Sequence, residues 1–316
     1  MRKWLPAAWL GLIVSVLLFG LTVYLGGQHA RLPYAGTMEK AARLHAEAAR
    51  LIREEKERRG IALAEEDILQ IGLMGYDYSA ITTTSAGLEE KRTSQLPDFA
   101  ALCVKYFNQA GLKKGDPVGA NFSGSYPGLN LAVLCAAEAM ELDIRYTTSV
   151  GSSRYGANVP EYTFPEMVKT LYDAGLISAM PKMVTLGGGG DMGHNMMAYE
   201  LEFPEDIEAA ETMKQRLIDE GLAWAVIENY AQDLKLHQDA YGEIKLFANA
   251  GGNSLGLGAS ENGAILRIGN ADSGWQAMII EFKMGSRFAM RQAAITVKRY
   301  DPCRTIEEII ERTDAI

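Results

Sequence analysis

Residues 117–150 read PVGANFSGSYPGLNLAVLCAAEAMELDIRYTTSV. The opening PVGANFS, from Pro117, is a short apolar run with the length of a strand. Ser123, Gly124 and Ser125 then make a tight turn of small polar residues, and Pro127 lies just ahead of an apolar run from Leu129 to Met140 that is too long for a strand and reads as a helix. DIRYTTSV, from Asp143, is the next strand. A strand, a helix and a second strand in immediate succession form a βαβ unit, which implies parallel pairing.

The same alternation continues outward. Phe164 to Ala174 has helical periodicity, with Thr163 as N-cap and Pro165 in the first turn. KMVTLGGGG, from Lys182, is a strand running into a glycine loop; Pro204 to Glu220 is a helix; LAWAVIE, IKLFANAGG and AILRIG follow as short β segments. On the N-terminal side, Thr37 to Arg59 places Leu44, Ala48, Leu51 and Ile52 at helical spacing, and Gly60 ends it as a C′ glycine. The expected fold class is α/β: a mostly parallel sheet with helices on both faces, preceded by one N-terminal transmembrane helix.

That last element rests on the uncharged stretch from Trp4 to Gln28, which follows Arg2 and Lys3. Its centre, WLGLIVSVLLFGLTVYLG, has about the 20 apolar residues a bilayer core requires. It is longer than the apolar part of a cleaved signal peptide, and GGQHARLP is a poor cleavage site. Trp4, Trp9 and Tyr24 stand near its ends, where amphipathic rings favour the interface. The expected organisation is an anchor over residues 1–28, a helical stalk or packing segment over 29–70, and one soluble α/β domain over 71–316. The positive-inside rule favours a single-pass cell-membrane protein with this domain outside the cytoplasm.

Composition narrows the function. The net charge is −9 and is spread along the chain, so there is no basic stripe to meet phosphates and no nucleic-acid partner is expected. Cys103 and Cys135 sit in apolar helical stretches and read as small core residues. No C-x-x-C spacing suggests zinc, no metal is expected, and spacing alone leaves a Cys103–Cys135 pairing undecided.

Four loops carry the candidate site residues. The first holds Thr83 and Thr84 with Lys91 and Arg92 downstream, hydroxyls beside cations that suit an anion and that serve equally as helix caps and surface charge. The second, Asn121 to Asn130, offers Ser123 and Ser125 at a helix N-terminus, where free N–H groups attract anions. Either serine is also a candidate nucleophile, although Gly124 between them departs from G-x-S-x-G. The third, Ser149 to Phe164, offers Ser152, Ser153, Arg154, Asn158 and Glu161. The fourth, LGGGGDMGHNM, has Gly188, Gly189 and Gly190 as backbone donors, with Asp191 and His194 beside them, His194 being the candidate base. It lacks the G-K-[ST] ending of a P-loop and is not G-x-G-x-x-G, so no cofactor is named. In a parallel sheet these loops should meet at one edge and form a composite site for a small anionic ligand or the end of an acidic chain. Lys91 or Arg92 is expected to face that site as counter-charge.

At these residues the chain resembles the poly-γ-glutamate system protein family. YSAITTTSAGLEEKRTSQLPDFAALCV, KKGDPVGANFSGSYPGLNLAVLCAAEAM, TTSVGSSRYGANVPEYTFPEMVKTLYDAGLI and TLGGGGDMGHNM keep the family's order from Tyr78 to Met196. The likeness weakens after Asp191, where members carry a basic residue beyond the GDxG step and this chain has His194; FANAGGNSLGLG matches loosely, and ITVKRYDPCRTIEEIIERTDAI departs from the pattern. The resemblance implies an accessory protein of capsule-polymer biosynthesis, held at the membrane beside the poly-γ-glutamate synthase subunits and binding or processing that acidic polymer. Two alternatives are a serine-dependent amidase or γ-glutamyl transferase acting on the polymer, and a structural partner of the synthase.

Overall fold

The computed structural model describes residues 12–22, 32–250, 278–283 and 294–299. The chain divides into two compact units, Met1–Gly36 and Thr37–Ile316. In the first, residues 12–22 form helix α1. Among the described residues no helix is long and apolar enough to cross a membrane, and the remainder of the stretch from Trp4 to Gln28 lies outside them.

The main sheet has six strands in the order β5 (Met183–Thr185), β3 (Asp143–Ser149), β2 (Pro117–Phe122), β6 (Leu246–Ala250), β7 (Met278–Lys283), β8 (Ala294–Arg299). All pairs are parallel except β7 with β8. The chain starts in the middle at β2, moves outward through β3 to β5, then returns to β6 on the other side of β2. This is a doubly wound order, and ligands of such sheets lie outside the carboxyl ends of the strands. A second, two-stranded parallel sheet pairs β1 (Thr82–Thr84) with β4 (Ser152–Ser153).

Helices cover both faces, and the alternation of side chains along β2 and β3 shows how. Phe122 and Tyr146 turn to the face of α6 (Phe164–Asp173), where the Phe122 ring meets Phe164 edge-on at 6.2 Å. Asn121 and Thr147 turn to the opposite face, where Thr147 meets His237 and Tyr241 of α9 (Tyr230–Tyr241). Between β2 and β3 runs α5 (Pro127–Met140), which is buried nearly all round, so its low amphipathicity is that of a core helix. It packs against α4 (Asp98–Gln109), reached from β1 through α3 (Leu88–Ser94). Each leucine or valine fully buried there stabilises by roughly 1.5–3 kcal/mol. Cys103 and Cys135 are buried free thiols, and burial pushes both thiols well up.

The long helix α2 (Ala35–Arg58) and α8 (Pro204–Asp219) complete the second unit with the short α7 (Met197–Glu200). LAWAVIE differs from expectation. It makes a single bridge, Trp224 with Val184, because β5 at the sheet edge is only three residues long and offers little to pair with. AILRIG, and FANAGGNSLGLG beyond Ala250, fall outside the described residues.

Candidate functional site

The four loops do meet at the carboxyl ends of β2, β3 and β5. Gly124 N–H donates to Gly151 O (3.0 Å), Gly151 N–H to Leu186 O (3.0 Å), Ala157 N–H to Gly124 O (2.7 Å) and Ser152 N–H to Ile81 O (3.1 Å). These bonds tie the strand ends together around a cavity of about 430 Å³. Seven serine and threonine residues line it, Thr83, Thr84, Ser85, Ser123, Ser125, Ser149 and Ser153, together with Tyr126, Gly151, Gly188, Gly189 and Asn195. Among the lining residues Glu90 is the only charged one.

Lys91 does not face this cavity as expected. It is buried behind the wall, where its ammonium donates to Ser125 O and to Ser153 Oγ (2.7 Å) and lies 3.8 Å from the centre of the Tyr126 ring. Burial lowers its pKa to about 7. The cause of the difference is helical geometry: α3 starts at Leu88, so Glu90 and Lys91 leave it in different directions, one toward the cavity and one under it. Arg92 turns away altogether, donating to Glu66 O (2.8 Å) and to Glu89 (2.7 Å).

The third loop divides. Ser153 lines the cavity, and its N–H donates to Ser125 Oγ (3.1 Å). Ser152 is fully buried and bonds to the Ser153 carbonyl (2.9 Å). Asn158 is also fully buried and is a clamp: Oδ1 accepts from Tyr76 N (2.9 Å), while Nδ2 donates to Tyr76 O (2.8 Å) and Thr82 Oγ1 (2.9 Å). Glu161 is exposed, outside the cavity, with its carbonyl on Arg59 (3.0 Å). A polar side chain in a long loop is as available for holding the loop as for holding a ligand, and Asn158 holds the loop.

The glycine loop is a closed turn. Gly189 N–H donates to His194 O (2.7 Å) and Gly193 N–H to Gly187 O (2.7 Å), with longer bonds from Asp191 to Gly188 and from Met192 to Gly189. Four amides thus serve the loop's own carbonyls. At Gly188 φ is +73°, and a Cβ would collide with the His194 carbonyl, so the repeated glycines are needed for this reversal. His194 is exposed and is absent from the cavity wall, and among the described residues no hydrogen bond joins it to Ser123 or Ser125. Ser123 Oγ instead accepts from Ser125 N–H (3.3 Å).

Gly190 leads away from the cavity to Asp191, which is buried with two residues the sequence reading passed over, Asp233 and His237 of α9. His237 Nε2 lies 3.2 Å from Asp191 Oδ2 and 3.3 Å from Asp233 Oδ1; Nδ1 lies 3.0 Å from Thr147 Oγ1 and 2.9 Å from Tyr241 Oη. Burial lowers the His237 pKa, but the two aspartates outweigh it and the net direction is upward; burial raises that of Asp233. The signal for these two was an Asp and a His four apart in QDLKLHQD, one face of a helix.

No family model, curated protein or solved structure matches this chain.

Proposed function

We propose that the chain is a membrane-anchored accessory protein of poly-γ-glutamate production, and that its cavity takes the end of that acidic polymer or a small ligand of the same chemistry. The observation that carries this reading is the set of seven serine and threonine residues that β1, β4 and the carboxyl ends of β2 and β3 bring to the cavity wall. Hydroxyls donate to a carboxylate, and a γ-glutamyl chain end carries carboxylates together with an ammonium. Glu90 is suited to the ammonium. Lys91, one layer behind Ser125 and Ser153, favours negative charge in front of it when protonated. The anchor would be the apolar stretch from Trp4 to Gln28.

Titrating the full-length chain in detergent with oligo-γ-glutamate by calorimetry tests this. Saturable heat with micromolar affinity is expected, weakened at least tenfold by Glu90→Gln. No heat at millimolar ligand would rule the reading out.

A second reading, acyl transfer, is favoured by one contact, the 2.7 Å between Lys91 Nζ and Ser153 Oγ. A neutral lysine there can take the serine proton as Oγ attacks a γ-amide carbonyl, then return it to the leaving amine. Water or an acceptor amine would release the resulting ester. Ser153 and Lys91 thus replace the pairing of Ser123 or Ser125 with His194. Cleavage of the oligomer should rise with pH through about 7 as Lys91 loses its proton, and Ser153→Ala should abolish cleavage while leaving calorimetric binding in place. A pH-independent rate, or a Ser153→Ala chain that still cleaves, would discard the mechanism without touching the binding reading.

A further inference from the structure

The geometry points to a divalent transition-metal site, zinc in the first instance, held by Asp191, Asp233 and His237 behind the glycine loop.

The spacing of the three side chains is the first argument. Their ligand atoms all lie within 4.8 Å of one another, and the two aspartates stand 3.2 and 3.3 Å from His237 Nε2. A tetrahedron of ligands at about 2.0–2.1 Å from a zinc ion has edges of about 3.3 Å. Both His–Asp separations therefore fit two edges of that tetrahedron with little movement. Mixed imidazole and carboxylate ligation selects zinc, manganese or iron over magnesium and calcium.

Asp233 supplies an independent observation. It is wholly buried, and among the described residues neither carboxylate oxygen has a hydrogen bond, its nearest polar neighbour being His237 Nε2 at 3.3 Å from Oδ1. A buried carboxylate with no donor is costly unless a cation meets it.

Proton counting on the other side of the ring agrees. The Thr147 hydroxyl donates to Asn121 Oδ1 (3.2 Å), so Thr147 Oγ1 accepts from Tyr241 O–H (2.7 Å). With Asn121 Oδ1 facing Thr147 and both hydroxyl protons used, His237 Nδ1 is the donor toward Thr147 and Tyr241. Fixing the proton on Nδ1 through a second layer of polar groups is how metal-bound histidines are oriented. A neutral ring then aims its Nε2 lone pair at two carboxylates, which is repulsive unless a cation lies between them. That cation is either a proton or a metal ion.

Such an ion would join α9 to the glycine loop and so hold the cavity wall at Gly188 and Gly189. The site is independent of what the cavity binds.

The full-length chain, purified in detergent without a polyhistidine tag, is stripped with chelator and titrated with Zn²⁺ and, separately, Mn²⁺. One zinc per chain by elemental analysis, a dissociation constant below micromolar and a rise in Tm are expected. Asp233→Asn and His237→Gln should each weaken zinc binding at least a hundredfold. Because these variants alter the core, the wild-type chain supplies a second readout. Loading with Co²⁺ should give the visible absorption bands of a four-coordinate ion, and the His237 ¹⁵N resonances should show Nδ1 protonated and Nε2 metal-bound. No metal uptake, with both His237 nitrogens protonated at neutral pH, would overturn the proposal in favour of an imidazolium shared by the two aspartates.

Discussion

At the scale of single residues, buried polar groups in this protein earn their place through one or two specific bonds, and His45 shows the consequence. It lies on α2, wholly buried, with Nε2 at 2.9 Å from Gly128 O, while Nδ1 has no hydrogen-bond partner among the described residues. The neutral ring donates once, from Nε2; a second proton on Nδ1 would be a charge with nowhere to go. Burial accordingly lowers the His45 pKa from 6.5 to about 4. Between those values the unfolded chain binds a proton that the folded chain refuses. The stabilisation is fully present above pH 6.5 and is lost as the pH falls toward 4, on the order of 3 kcal/mol. Urea unfolding at pH 7, 5.5 and 4.5 should show this slope, and His45→Gln, which keeps an N–H donor for Gly128 without a titrating group, should flatten it. Equal slopes for the two chains would refute the assignment. Lys91 and Asn158 belong to the same class. Their residue types are compatible with ligand binding, but a fixed set of partners in the wall and beneath it gives them other work.

At the scale of elements, the helices are joined by charges that their own sequences do not reveal. Glu166 is the N3 residue of α6, and its carboxylate accepts from Thr163 N (2.8 Å), completing a capping box. The same buried carboxylate receives Arg59 (2.9 Å), just beyond α2, and Arg216 of α8 (3.0 Å). One side chain thus caps a helix and clamps two others to it. Replacing Glu166 with alanine would leave Arg216 without a carboxylate, leave Arg59 with Glu55 alone, and remove the cap, and is expected to destabilise by about 3 kcal/mol. Glu166→Gln keeps the reach to the N-cap and should cost less. Chemical denaturation that ranks the two variants equally would show that the ion pairs and not the cap matter. Helix α9 is the longest element that sequence reading passed over. YAQDLKLHQDAY is polar, with a weak apolar stripe, because the side it buries is occupied by Asp233, His237 and Tyr241 facing a polar row of the sheet. Hydrophobic periodicity finds helices that bury apolar faces, and it is blind to one that buries a hydrogen-bonded network.

At the scale of the whole molecule, the anchor and the sheet make separate statements. If residues 1–28 span a membrane, the full chain should stay in the pellet through carbonate extraction, and a chain beginning at Leu32 should be released to the supernatant. A full chain extracted by carbonate would remove the anchor from the proposed function. The parallel sheet was legible in PVGANFSGSYPGLNLAVLCAAEAMELDIRYTTSV, because a strand, a helix and a second strand can close on one another only by a parallel crossover. The meeting of the four loops was legible for the same reason. Strands of a parallel sheet that lead into helices all end at the same edge, whatever their side chains, and the hydroxyl lining of the cavity follows from which residues sit at those ends. The direction of each side chain was decided only by tertiary structure. Lys91 under the wall rather than in it, Arg92 on Glu66, Asn158 as a clamp and Glu161 outside the cavity all depend on a rotation of the backbone by a single position. Above all, Asp191 meets Asp233 and His237 only because the return from β5 to β6 lays α9 across the face of β2 and β3. Local patterns in a chain specify elements through short-range sterics and burial. A cluster of ligands from two distant segments is specified by the crossing that brings them together, and no local spacing records it.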